Sequence, residues 1–126
     1  MEKQKYAAIV LAAGSGKRMN SQVHKQYLII QDRPVLYYSL KEFQDSAVDE
    51  IVLVVGKGEE EFCRKEIVDK YGISKVKAIV EGGKERYHSV FEGLKQTSDA
   101  DYVLIHDGAR PFVNQEIIRR CMLEVP

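Results

Sequence analysis

Apolar and polar positions fall along this chain in blocks rather than in strict alternation. Four short runs, 7–12, 50–55, 76–80 and 102–106, are largely apolar and rich in β-branched residues. A strand apolar at successive positions, as at Ile9, Val10 and Leu11, has both faces buried, as in a parallel sheet covered by helices. Between these runs the apolar period becomes that of a helix. Pro34 stands at a first helical position, and Val35, Leu36, Leu40 and Phe43 then share one face. Tyr37 and Tyr38 in that helix read as core and rim packing rather than as a base-stacking platform. A second helix is expected over 59–71, stopped by Gly72. A third is expected over 85–96, with Val90, Phe91 and Leu94 in one stripe. A fourth is expected over 115–124, capped by Asn114. Strands alternating with helices in this order predict a doubly wound, mostly parallel α/β sheet.

Such Rossmann-like sheets take ligands outside the carboxyl ends of their strands. Three polar, glycine-bearing segments lie at those ends: Gly14-Ser15-Gly16-Lys17-Arg18 after the first strand, Glu81-Gly82-Gly83 after the third, and His106-Asp107 at the fourth. In the first, the glycines allow a sharp turn and a close approach of backbone to ligand. Exposed N–H groups in such a turn make a nest for anions, and Lys17 and Arg18 add fixed positive charge. A phosphate-bearing ligand fits that chemistry. The bland alternative is an ordinary turn with two solvated cations. The loop is not a P-loop, and Met19 replaces the third glycine of a dinucleotide fingerprint.

At 126 residues the chain is one domain's worth. Nineteen basic residues balance nineteen acidic ones, so no global field draws it to nucleic acid or membrane, and phosphate recognition must be local. No apolar stretch has the length of a membrane span, and the N-terminus lacks a signal-peptide core. Cys63 and Cys121 are far apart and lack metal-ligand spacing, which suits free thiols in a reducing cytoplasm and excludes zinc. No repeat or low-complexity segment is present. The ending Glu124-Val125-Pro126 reads as a stop partway through a larger fold.

Lys25, in Lys25-Gln26-Tyr27-Leu28, is placed to swing over a phosphate held by the first loop, or else is simply solvated. The segment from Gly82 to Val90 joins a strand to a helix whose first turn offers free N–H groups, the Arg86 cation and the Ser89 hydroxyl. It also reads as a plain helix N-terminus. Asp107 is the candidate metal ligand, because Mg²⁺ takes one or two carboxylates together with phosphate oxygens. Its other reading is a brace to Arg110 across the turn at 108–111. His106 reads as a partly buried, hydrogen-bonded histidine, and His24 and His88 as solvated.

Four motifs in order and spacing resemble one family. They are Leu11-Ala12-Ala13-Gly14-Ser15-Gly16-Lys17-Arg18-Met19, Lys25-Gln26-Tyr27-Leu28, Gly82-Gly83 with Arg86, Ser89-Val90 and Gly93-Leu94, and His106-Asp107-Gly108-Ala109-Arg110-Pro111-Phe112. Together they resemble the 2-C-methyl-D-erythritol 4-phosphate cytidylyltransferases of non-mevalonate isoprenoid synthesis. The likeness covers essentially the whole chain. The ribitol 5-phosphate cytidylyltransferases share most of these motifs, although Ala12-Ala13 and the His-Asp-Gly-Ala-Arg-Pro form look more like the methylerythritol branch.

The resemblance implies roles for particular residues. Arg18 and Lys25 match the cations that hold the CTP triphosphate and stabilise the transition state. Ala12, Ala13, Gly14, Gly16, Gly83 and Ser89 match nucleotide-contacting positions, with Lys17, Gly82 and Arg86 beside them. Asp107 matches the aspartate that helps place Mg²⁺. Lys84 departs from the commoner acidic residue at its position. The resemblance further implies a cytoplasmic enzyme, homodimeric at full length, with residues 1–126 as the N-terminal part of its CTP-binding nucleotidyltransferase domain. The dimerising arm and the residues that bind the polyol phosphate would lie beyond Pro126. Ribitol 5-phosphate as acceptor, or a nucleotide-binding fragment without catalysis, are the alternative expectations.

Overall fold

The computed structural model describes residues 4–12, 29–30, 33–83, 85–107 and 115–124. The apolar runs form the strands of one sheet: β1 (Tyr6–Ala12), β4 (Glu50–Val55), β5 (Val76–Glu81) and β6 (Tyr102–Asp107). They lie in the order β5-β4-β1-β6, with every neighbouring pair parallel. Two short strands, β2 (Ile29–Ile30) and β3 (Arg33–Pro34), pair antiparallel apart from it. Helix α1 (Val35–Gln44) follows, then α2 (Glu60–Cys63), which continues as a π-helix over Arg64–Asp69. Helices α3 (Arg86–Lys95) and α4 (Gln115–Glu124) complete the elements. No helix among the described residues is long and apolar enough to cross a membrane.

The sheet is buried on both faces, as its continuous apolar strands require. On one face Ala8, Val10, Ala12, Ile51, Leu53 and Val55 pack with Leu36, Leu40 and Phe43 of α1, with Cys63 and Ile67, and with Ile118 of α4. On the other, Ile9, Leu11, Val52 and Val54 pack with Val90 of α3. Tyr37 is buried and Tyr38 half-buried, as core and rim residues should be. Cys63 is fully buried and forms no disulfide.

Three local expectations needed correction. Pro34 does not open α1. It pairs with Ile29 in the β2–β3 ribbon, and the helix starts one residue later. The second helix ends at Asp69, short of Gly72 at φ 64°, and its later part winds by i→i+5 bonds. That wider winding brings positions four and five beyond Cys63 toward its face, and Ile67 and Val68 are both buried. In α3 the large apolar residues do not form the buried stripe. Phe91 is 58% and Leu94 42% exposed, while Ser89 and Gly93 face inward.

Gly93 explains this orientation. A Cβ there would lie 2.8 Å from Ile9 Cγ2 and 3.3 Å from Val54 Cγ2, so α3 sits on the sheet as closely as backbone allows. Gly93→Ala would gain about 1 kcal/mol of helix propensity. Forcing a methyl against a fully buried branched side chain costs about 1–3 kcal/mol. Chemical denaturation of the variant should therefore show a net loss of about 1 kcal/mol; a gain would mean that the interface has slack.

At the amino ends of the strands, charge ties the sheet together. Glu50, 6% exposed, accepts an ion pair from Lys77 at 2.7 Å, and Lys5 approaches it at 3.1 Å. Lys5 also meets Asp99 at 2.6 Å. Lys77 is the extra residue where the β4–β5 register slips between Ile51 and Val52, and the bulge lets its side chain turn toward Glu50. Lys5 and Asp99 reinforce each other's charge: chiefly through their hydrogen bond, Lys5 is raised and Asp99 lowered from ordinary values.

Candidate functional site

Because all four strands run the same way, their carboxyl ends meet at one rim. The chain moves from β1 outward to β4 and β5 on one side, while β6 adds on the other, so the topology switches direction at β1. A crevice outside the strand ends opens at such a point. Its described members are Ala12, which ends β1, and Asp107, which ends β6. Leu11 pairs in register with Asp107, and Leu11 belongs to the cluster on the α3 side, so Asp107 leaves the sheet on that side. Asp107 is exposed.

His106, one residue earlier, points the opposite way. It lies 3.2 Å from Ser39 Oγ, with the Phe43 ring edge-on at 5.6 Å. The partly buried, satisfied histidine expected from the sequence is what the fold contains.

The second wall of the rim follows β5. The Gly82 N–H donates to the Val55 carbonyl at 2.8 Å, carrying the β4–β5 ladder one step past the strand. Gly82 is half-buried and Gly83 exposed, and Arg86 opens α3 with an exposed side chain. Helix α3 packs over β1, β4 and β5, so its first turn stands on the same side of the sheet as Asp107. Ser89 differs from its neighbours. At 4% exposure it lies beneath the first turn rather than on the open rim.

Two rim features escaped the sequence reading. The carboxyls of Glu60 and Glu81 meet at the ends of α2 and β5, and that hydrogen bond, with desolvation and like charge behind it, raises the Glu60 pKa. Glu81 is exposed and Glu60 only half-buried, and water around them weakens their coupling. The other feature is His88, exposed as expected but not idle: its Nδ1 accepts a hydrogen bond from the Glu85 N–H at 3.3 Å. A carboxylate at the third-strand exit and a residue three after the helix cap were the only sequence signals for either.

Ala13, Gly14, Gly16, Lys17, Arg18 and Lys25 lie outside the described residues, as do Lys84, Arg110 and Asn114. Of the expected site, the structure thus brings Ala12, Gly82, Gly83, Arg86 and Asp107 to one rim and buries Ser89 just under it.

Fold and rim define an open parallel α/β domain whose strand ends share one edge. Residues 6–125 match the model of the family 2-C-methyl-D-erythritol 4-phosphate cytidylyltransferase (IspD), and the chain belongs to that family. Over 122 residues it is 53% identical to the enzyme of this name from Lachnoclostridium phytofermentans, a match covering 97% of this chain and 52% of that one. With the Lachnospira eligens enzyme it shares 55% over 115 residues, 90% of this chain and 50% of the other. Among solved structures, 4-diphosphocytidyl-2C-methyl-D-erythritol synthase from Anaerococcus prevotii superposes with a TM-score of 0.77 at 33% identity, covering 95% of this chain and 50% of that one. The chain therefore spans about half the length of the relatives it matches.

Proposed function

We propose that residues 1–126 form the N-terminal part of the CTP-binding nucleotidyltransferase domain of a cytoplasmic, homodimeric enzyme. It transfers the cytidylyl group of CTP to 2-C-methyl-D-erythritol 4-phosphate. The observation that carries this reading is the family match over residues 6–125, which includes all four motifs. The His-Asp-Gly-Ala-Arg-Pro sequence at 106–111 and the Ala12-Ala13 pair favour the methylerythritol acceptor over ribitol 5-phosphate.

A phosphate oxygen of the acceptor attacks the α-phosphorus of CTP in line. The bond to the bridging oxygen breaks, and pyrophosphate leaves with the electron pair. No protein nucleophile is needed, so the protein's contribution is positioning and charge stabilisation. Arg18 and Lys25 are the catalytic cations, set against the charge that grows on the α-phosphoryl group and the leaving oxygen. The backbone from Ala12 and Ala13 through Gly14 and Gly16 holds the triphosphate with Lys17. Gly82 and Gly83 read the cytosine edge with the Ser89 hydroxyl just beneath the rim, and Arg86 adds charge at the start of α3.

The exposed Asp107 carboxylate at the end of β6 suits Mg²⁺, which takes only one or two carboxylates beside water and phosphate oxygens. Among the described residues no group of three or more acidic, cysteine or histidine side chains competes with that arrangement. Asp107 would hold the ion, and the ion would neutralise triphosphate charge.

The triphosphate loop is blind to the base, so discrimination falls to the rim at Gly82 and Gly83, with Ser89 beneath it. Each polar partner that a wrong base leaves unpaired costs about 1–3 kcal/mol. Calorimetric titration of the full-length protein with Mg²⁺ and each of four nucleotides should rank CTP above UTP, and both well above ATP and GTP. Equal affinities would overturn the cytidylyl assignment and leave a generic phosphate-binding domain.

A further inference from the structure

We propose that His88 is a positioning residue that sets the conformation of the nucleotide-reading loop through its Nδ1 atom; this rests on the assignment of Gly82 and Gly83 as base-reading positions. The loop is tied at both ends. At its start, the Gly82 N–H is bonded to the Val55 carbonyl. At its end, the Glu85 N–H donates to His88 Nδ1 at 3.3 Å. Between these ties the His88 side chain lies directly against Gly83. A Cβ built on Gly83 would overlap the His88 Cβ and lie 2.9 Å from Cγ and 3.3 Å from Nδ1. On its other flank the imidazole meets the Tyr87 ring, with centroids 4.2 Å apart.

These contacts have a directional consequence. To accept from Glu85 N–H, Nδ1 must be unprotonated, which leaves the ring proton on Nε2. The bond holds the Glu85 N–H on the imidazole, and the contact with Gly83 leaves that glycine no room to move toward the ring. Binding to a preformed loop avoids an ordering cost that a free loop incurs each time a ligand arrives. His88 therefore acts on nucleotide affinity without touching the reacting atoms.

Two substitutions separate the acceptor atom from the ring. His88→Asn keeps a Cβ and places Oδ1 where Nδ1 was, so the Glu85 N–H still has a partner. His88→Phe keeps a planar ring but has no acceptor. In the full-length protein, His88→Phe should raise KM and Kd for CTP by about tenfold, the worth of one lost hydrogen bond. Its kcat at saturating CTP and its KM for the polyol phosphate should move far less. His88→Asn should restore most of the affinity for CTP. If Phe binds CTP as tightly as His does, or if Asn is as weak as Phe, the positioning role is overturned. The wild-type protein titrated in parallel with CTP, UTP and ATP tests the cytidylyl assignment separately. If it prefers another nucleotide, that assignment fails, and the same Phe-against-Asn ratio is then read on the preferred nucleotide.

Discussion

Arg18→Ala and Lys25→Ala will each lower kcat by about 10²–10³, the usual loss when one preorganised electrostatic donor is removed from a transition state. The reasoning is chemical. In the proposed reaction the entering and leaving groups are both phosphate oxygens, so negative charge accumulates with no covalent protein intermediate to absorb it. A fixed cation facing that charge works without reorganising, while water recruited in its place must reorient. The same substitutions should leave the melting temperature almost unchanged, because two cations following a glycine turn contribute little to a core made of β1, β4 and α1. Steady-state kinetics with both substrates saturating, beside a thermal melt, makes the check. Near-wild-type turnover in either variant would remove that residue from the catalytic group.

The second large effect is expected at the end of β6. Asp107→Asn preserves shape and hydrogen-bonding capacity but removes the negative charge that attracts a hard divalent cation. Loss of even an outer-sphere partner typically costs about 10–100-fold in metal affinity, so a direct ligand should cost at least tenfold. The Mg²⁺ concentration for half-maximal activity should rise accordingly, with kcat largely recovered at high Mg²⁺. Were the carboxylate only a brace to Arg110 across the turn at 108–111, the variant would melt earlier and its Mg²⁺ curve would stay in place. The two outcomes differ in kind, so one variant decides between them.

Much of this fold was legible because burial on both faces leaves a strong imprint. At β4 the predicted and observed strand coincide at Glu50–Val55, since every residue there is buried. Strand ends were less visible. Tyr6, Glu81 and Asp107 carry polar atoms, yet their backbones still join the ladder. The period of α3 was readable, but its orientation was not. Periodicity weights a residue by its apolar size, whereas the helix turns its small residues to the sheet where backbones approach most closely. Gly93 against Ile9 and Val54 is that closest approach. Pro34 had two compatible roles, a helix start or a strand terminus, and only pairing with Ile29 chose between them. At the candidate site the motifs named the residues, but His88 passed as solvated. Exposure says nothing about a side chain bonded to its own backbone three residues away.

The ion cluster of Lys5, Glu50, Lys77 and Asp99 bears on how this protein should be assayed. Asp99, held low by Lys5, contributes stability above its ordinary pKa and loses it only as pH falls through the lowered value. Lys5, held high by Asp99, contributes below its ordinary pKa and loses it only as pH rises through the raised value. Both limits are pushed outward, away from neutrality. This clamp also sits at the end of the sheet opposite the rim. Near neutrality the cluster thus keeps its charges fixed, and a change of activity with pH there does not arise from it.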